Sequence, residues 1–150
     1  MINNAHILIA DDDLDFVMLL KAAFEEAHVD NCIHVTEDSA KTKKYLKNEA
    51  PYEDRARFPI PGLLVLDLRL PPHDGLELLH WIRQQPYLDG LPVVILTGGE
   101  FPDQEELALR TGANGYFVKP FQFTKLVALA QHFRDAWLRH DEALAHDSKH

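Results

Sequence analysis

Three consecutive aspartates, Asp11, Asp12 and Asp13, close the first apolar run of the chain, Ile7-Leu-Ile-Ala10, and Asp67 closes the third, Leu63-Leu-Val-Leu66. The fourth run, Val93-Val-Ile-Leu96, ends in Thr97, and the fifth, Tyr116-Phe-Val118, in Lys119. A single acid after a strand means little, because aspartate commonly caps the helix that follows. Two acids after one strand and a third after a neighbouring strand crowd together, each raising the others' pKa unless a cation intervenes. A hard, oxygen-seeking divalent ion such as Mg²⁺ resolves that repulsion, and Lys119 brings a fixed positive charge to the same edge.

The elements that must position these groups follow from the apolar pattern. The first, third and fourth runs are continuous rather than alternating, as expected of central strands covered on both faces. Cys32-Ile-His-Val35 supplies a further run. Between the runs, Val17, Leu20, Phe24 and Ala27 recur at steps of three and four, a helical stripe. Leu78, Leu79 and Ile82 repeat it after the third run, and Leu107 with Ala108 after the fourth, where Gly112 suits a left-handed helix end. A longer stripe, Leu126, Leu129, Ala130, Phe133 and Trp137, closes the series. Such alternation predicts five βα units on a parallel sheet with right-handed crossovers. In that architecture ligands bind outside the carboxyl ends of the strands, where the acids, Thr97 and Lys119 fall.

Two stretches break the spacing. Residues 49–62, with three prolines and no period, read as a long surface loop, either functional or a tolerated insertion. The polar segment His140–His150 reads as a tail. Asp13 or Asp15 reads as a cap or first-turn residue of the first helix, His73 as a solvated loop histidine, and Lys41, Lys43, Lys44 and Lys47 as the wet face of the second helix. The nine histidines show no metal-ligand spacing.

Composition narrows the class. The 150 residues, 46% hydrophobic and 26% charged, suit one folded domain, expected over residues 1–140, with 141–150 as tail. A net charge of −9 disfavours nucleic acid as a partner, which requires a basic face. The one cysteine excludes an intrachain disulfide, and no signal peptide or membrane-length apolar run is present, so a cytoplasmic location is expected.

Four segments together resemble the receiver domain of two-component response regulators: Ile7-Leu-Ile-Ala-Asp-Asp-Asp13, Leu64-Val-Leu-Asp-Leu-Arg-Leu-Pro-Pro-His-Asp-Gly75, Pro92-Val-Val-Ile-Leu-Thr-Gly98 and Gly112-Ala-Asn-Gly-Tyr-Phe-Val-Lys-Pro-Phe121. The likeness spans roughly Ala5 to Leu138. It implies a flavodoxin-like (βα)5 doubly wound sheet of strand order 2-1-3-4-5, for which a receiver is a standard example. By position it implies that Asp67 is the phosphoacceptor, attacking a phosphohistidine on a sensor histidine kinase to form an acyl phosphate. It further implies Mg²⁺ held by Asp12, by Asp11 through water, by Asp67 and by the main-chain carbonyl of Arg69. Lys119 would contact a phosphoryl oxygen, a backbone N–H near Gly98 would supply another donor, and a cis Lys119–Pro120 bond would aim the lysine inward. Thr97 and Tyr116 take the switch positions: the Thr97 hydroxyl turns to the phosphoryl group and Tyr116 moves from outside to inside, altering the surface of helix four, strand five and helix five.

Gly98 departs from the family's usual alanine, and with Arg69 and Gly99 at the variable positions slow to moderate loss of the phosphoryl group is expected. Only 30 residues follow Pro120, so output is expected through protein contact or phosphorelay rather than an attached effector. The loop before the third strand and the long last helix are similar to stand-alone regulators of phytochrome-type kinases. Those pair through the helix four–strand five–helix five face, so a homodimer is expected, with Val127 and Leu138 off the main stripe available to it. Two other readings stay open: a phosphorylation-independent interaction module, disfavoured by the intact acids, threonine and lysine, and a metal-dependent aspartyl-phosphate phosphohydrolase, disfavoured by Arg69 where a second acid is usual.

Overall fold

The computed structural model describes residues 5–70, 74–99 and 102–138. Five strands, β1 (Ile7–Ala10), β2 (Ile33–Thr36), β3 (Leu63–Leu66), β4 (Val93–Thr97) and β5 (Gly115–Val118), alternate with five helices, α1 (Leu14–Glu26), α2 (Ser39–Leu46), α3 (Gly75–Arg83), α4 (Pro102–Thr111) and α5 (Phe123–Phe133). All strand pairs are parallel, in the order β2-β1-β3-β4-β5, so the doubly wound topology read from the sequence holds. A short 3₁₀ turn, Pro86–Leu88, precedes β4, and a π-helical stretch, Arg134–Leu138, continues α5.

Every residue of β1, β3 and β4 is buried, and the pleat divides them between two cores. Ile7, Ile9, Val65, Val94 and Leu96 pack under α1 and α5 with Phe24, Leu126 and Phe133. Leu8, Leu64, Leu66, Val93 and Ile95 pack under α2, α3 and α4 with Tyr45, Leu79 and Ala108. Helix ends follow local chemistry. Asp13, Asp38 and Asp74 each cap a helix by accepting a backbone N–H from the residue three further on. Gly112, at φ 121°, ends α4, and Arg83 binds its carbonyl from the end of α3 at 3.0 Å.

Residues 47–62 form a loop that contains the anticipated stretch 49–62, closed by side chains. The Arg55 guanidinium donates to the carbonyls of Tyr45, Leu46 and Phe58 at 3.1, 2.7 and 3.2 Å, and the Tyr45 hydroxyl donates to the Pro59 carbonyl at 2.9 Å. Tyr45, Tyr52 and Phe58 pack together within this closure, with Phe58 edge-on to both tyrosines and the two tyrosines tilted against each other.

Several expectations are corrected. In α4, Ala108 is buried while Leu107 is 44% exposed, so the helix packs through its small residue. Leu138 is 1% exposed and lies in the first core, so it is not available at the surface, whereas Val127 is half-buried against that core. The reason is the π stretch: five residues after Phe133, α-helical geometry puts a side chain about 140° around the axis, whereas a wider π turn returns it towards the same face.

Candidate functional site

The site lies where β1, β3 and β5 end. Beyond Ala10, Asp11 keeps the ladder going by donating its N–H to the Thr36 carbonyl at 3.0 Å, and Asp67 does likewise to the Ala10 carbonyl at 3.0 Å. Lys119 donates its N–H to the Thr97 carbonyl at 2.7 Å. Strand alternation therefore extends past the formal ends. Asp11 follows Ile7 and Ile9, Asp67 follows Leu63 and Val65, and Lys119 follows Phe117, placing all three on the α1/α5 side of the sheet.

There the side chains converge. Lys119 Nζ donates to Asp11 Oδ2 at 2.9 Å and to Asp67 Oδ2 at 3.0 Å, while packing 4.4 Å over the Phe16 ring. Asp67 Oδ1 accepts the Arg69 N–H at 3.0 Å, and Asp11 Oδ1 accepts the Asp13 N–H at 2.9 Å. Asp11 and Asp67 are 2% and 5% exposed; Asp12 is exposed at the mouth. One carboxylate oxygen from each of Asp11, Asp12 and Asp67 lies within 4.8 Å of the others. Like charges that close repel by roughly 3 kcal/mol at an effective dielectric of about 20. The electrostatics follow. Burial pushes the Asp11 carboxyl up to about 6, and the Asp67 charge adds to that rise against the opposing pull of Lys119 and the Asp13 N–H. Burial alone would lower Lys119, but the hydrogen bonds and charges of Asp11 and Asp67 prevail and hold it above its ordinary value. A set of hard carboxylate oxygens with more negative than positive charge suits a small divalent cation.

Gly75 is required by close packing at this loop. A Cβ there would lie 2.7 Å from the Asp67 carbonyl oxygen and 2.8 Å from Leu68 Cα, while the Gly75 N–H donates to the Leu68 carbonyl at 2.7 Å. Gly98, by contrast, has open space around it. Thr97, 1% exposed, ends β4 and pairs with Val118, and Ile95 pairs with Tyr116. Thr97 and Tyr116 thus share the α4 side of the sheet, opposite the side taken by the acids. Tyr116 is half-buried against the second core with its hydroxyl oxygen buried. The Arg69 side chain is exposed. Pro71, Pro72 and His73 of the intervening loop, and the tail His140–His150, lie outside the described residues.

One geometric expectation fails. The Lys119–Pro120 bond is not cis; the cis bond among the described residues is Ala50–Pro51. Lys119 is aimed instead by strand continuation, its N–H held by Thr97 and its ammonium group by the two acids.

This fold and this clustering of acids and lysine at the carboxyl edge define a class, and residues 7–131 match the response regulator receiver domain family, to which the chain belongs. Among its relatives are response regulator Rcp1 of Synechocystis, 29% identical over 88% of both chains, and the probable methanogenesis regulatory protein FilR2 of Methanothrix harundinacea, 32% identical over 88% of this chain and 83% of that one. Among solved structures, the phosphorylated cyanobacterial phytochrome response regulator RcpA superposes with a TM-score of 0.81 at 27% identity, covering 90% of this chain and 94% of RcpA. The Mn²⁺-bound form of Rcp1 gives 0.79 at 28%, covering 89% and 94%. The chain is a phosphoaccepting receiver of the two-component type, similar in extent to the phytochrome-associated regulators.

Proposed function

We propose that Asp67 is the phosphoacceptor and that this chain takes its phosphoryl group from a sensor histidine kinase, of phytochrome type, with Mg²⁺ held by Asp11, Asp12, Asp67 and the Arg69 carbonyl. The observation that carries this reading is the Lys119 ammonium shared between Asp11 and Asp67 inside a cluster of three carboxylates. When bound, the metal supplies positive charge beside the phosphoryl oxygens during transfer. Asp67 attacks phosphorus with one carboxylate oxygen, forming an O–P bond as the N–P bond of the phosphohistidine breaks and the electron pair returns to the imidazole. Lys119 turns from carboxylate to phosphoryl oxygen, so its charge stays buried and paired throughout. The Arg69 N–H keeps the carboxyl oriented.

Thr97, ending β4 beside β3 at the same carboxyl edge, reaches over that edge to donate its hydroxyl to the phosphoryl group, and the movement makes room for half-buried Tyr116 to complete its turn from outside to inside. A change of a few kcal/mol in the relative stability of two arrangements suffices to switch the surface of α4, β5 and α5. That surface serves as the output and the homodimer contact, with exposed Leu107 and Leu109 on α4 supplying apolar area. Exposed Leu14 and Met18, one helical turn apart on α1, and Phe121 after Lys119 support a protein donor at the mouth of the site.

Incubation with acetyl phosphate and Mg²⁺, followed by intact mass measurement, tests the acceptor assignment. One alkali-labile phosphoryl adduct per chain is expected for the wild type and none for Asp67→Asn. An equal adduct on the variant would overturn the assignment.

A further inference from the structure

A second set of metal-ligating groups lies at the other edge of the sheet. His6 immediately precedes β1, Cys32 precedes β2, and His34 is the second residue of β2. The register Ile7↔Ile33 and Leu8↔His34, with the Ile7 N–H donating to the Cys32 carbonyl at 2.8 Å, sets His6 beside Cys32. Cys32 and His34, two apart on one strand, then share a face with His6. The donor atoms meet accordingly. His6 Nδ1 is 2.8 Å from His34 Nε2, Cys32 Sγ is 3.7 Å from the same nitrogen, and ligand atoms of all three residues lie within 4.8 Å of one another.

We propose that His6, Cys32 and His34 bind one zinc-class d-block cation through two imidazole nitrogens and a thiolate, with solvent in the fourth position. Bond lengths of about 2.05 Å to nitrogen and 2.3 Å to sulfur at tetrahedral angles require N···N near 3.3 Å and N···S near 3.6 Å. The sulfur–nitrogen distance already meets this, and the two imidazoles must part by about 0.5 Å. The cation takes the place of the proton between the two rings, which passes by tautomerisation to the remote nitrogen of the imidazole that carried it, and the thiol releases its own proton to solvent. A soft sulfur with two imidazoles selects Zn²⁺ over Mg²⁺, whereas the carboxylate cluster has the opposite preference. The two sites are separated by the length of β1, roughly 16 Å from His6 to Asp11. His34 also packs on Tyr45 and Phe58, whose ring centroids lie 5.5 and 5.4 Å away, so the ion would tie the sheet edge to the closure of loop 47–62.

Co²⁺ titration of the full chain in excess Mg²⁺ tests the proposal. Cys32 is the one cysteine, so any thiolate-to-cobalt charge-transfer absorption reports on it alone. The expected result is that band saturating at one Co²⁺ per chain, reversed by Zn²⁺, absent in Cys32→Ser and lost or strongly weakened in His6→Gln and His34→Gln. Phosphorylation by acetyl phosphate and the far-ultraviolet circular dichroism of the three variants should match wild type, showing intact folding. No thiolate band, a band unchanged in both histidine variants, or saturation at one ion per two chains would overturn it.

Discussion

Gly75, packed against Asp67, and Gly98, next to Thr97, stand in opposite packing situations. Gly75→Ala drives a Cβ against the backbone of Asp67 and Leu68, which cannot swing aside as a side-chain tip can. A loss of about 1–3 kcal/mol is expected in urea unfolding, together with slower phosphorylation as the acceptor loop shifts. Gly98→Ala meets open space and should change stability by less than about 0.5 kcal/mol. Asp11 gives the site a pH dependence. Its folded-state pKa of about 6 lies above its ordinary 3.8, so between these values the folded state holds more protons and metal-free stability falls as pH rises. Mg²⁺ binding demands the ionised form and opposes this trend. The rise in Tm produced by Mg²⁺ should therefore be large at pH 7.5 and fade as pH drops through about 6; a pH-independent rise would contradict the assignment. Asp11, Asp12, Asp67 and Lys119 were legible in the sequence because each follows an apolar strand run and carries charge. The His6–His34 pairing was not, since 28 residues separate them and only the β1–β2 register brings them together.

Among the elements, all five strands were readable from apolar runs, with boundaries off by about a residue at β2, β4 and β5, and four helices from apolar stripes, while α2 showed only its lysine-rich wet face. What escaped was geometry that periodicity assumes away. The stripe through Trp137 presumes α-helical phase throughout, and the π stretch Arg134–Leu138 breaks that phase and buries Leu138. Leu107 likewise looked like core by residue type, but α4 approaches the sheet on Ala108. The loop was recognised over residues 49–62 by its prolines, while its closure depends on three carbonyls converging on one guanidinium, which no spacing rule encodes. Arg55→Ala should therefore cost about 1–3 kcal/mol and accelerate proteolysis within this loop. The phosphorylation rate with acetyl phosphate should stay unchanged, because the loop leads into the amino end of β3 and not the acidic edge.

For the whole molecule, function rests on a division of the sheet. Its carboxyl edge gathers anions and a lysine, one face beyond it carries Thr97 and Tyr116, and α1 offers apolar side chains beside the mouth. A small donor needs the acids and lysine alone, whereas a kinase must also seat against the rim. Met18→Glu should thus slow transfer from the phosphorylated kinase while leaving acetyl phosphate turnover intact; equal slowing of both would contradict a docking role for α1. The central claim is that the acyl phosphate forms on residue 67. Borohydride reduction of the phosphorylated chain, followed by peptide sequencing by mass spectrometry, reads this directly. Homoserine at position 67 is the predicted product, and reduction at position 11 or 12, or none with phosphate still bound, would contradict it.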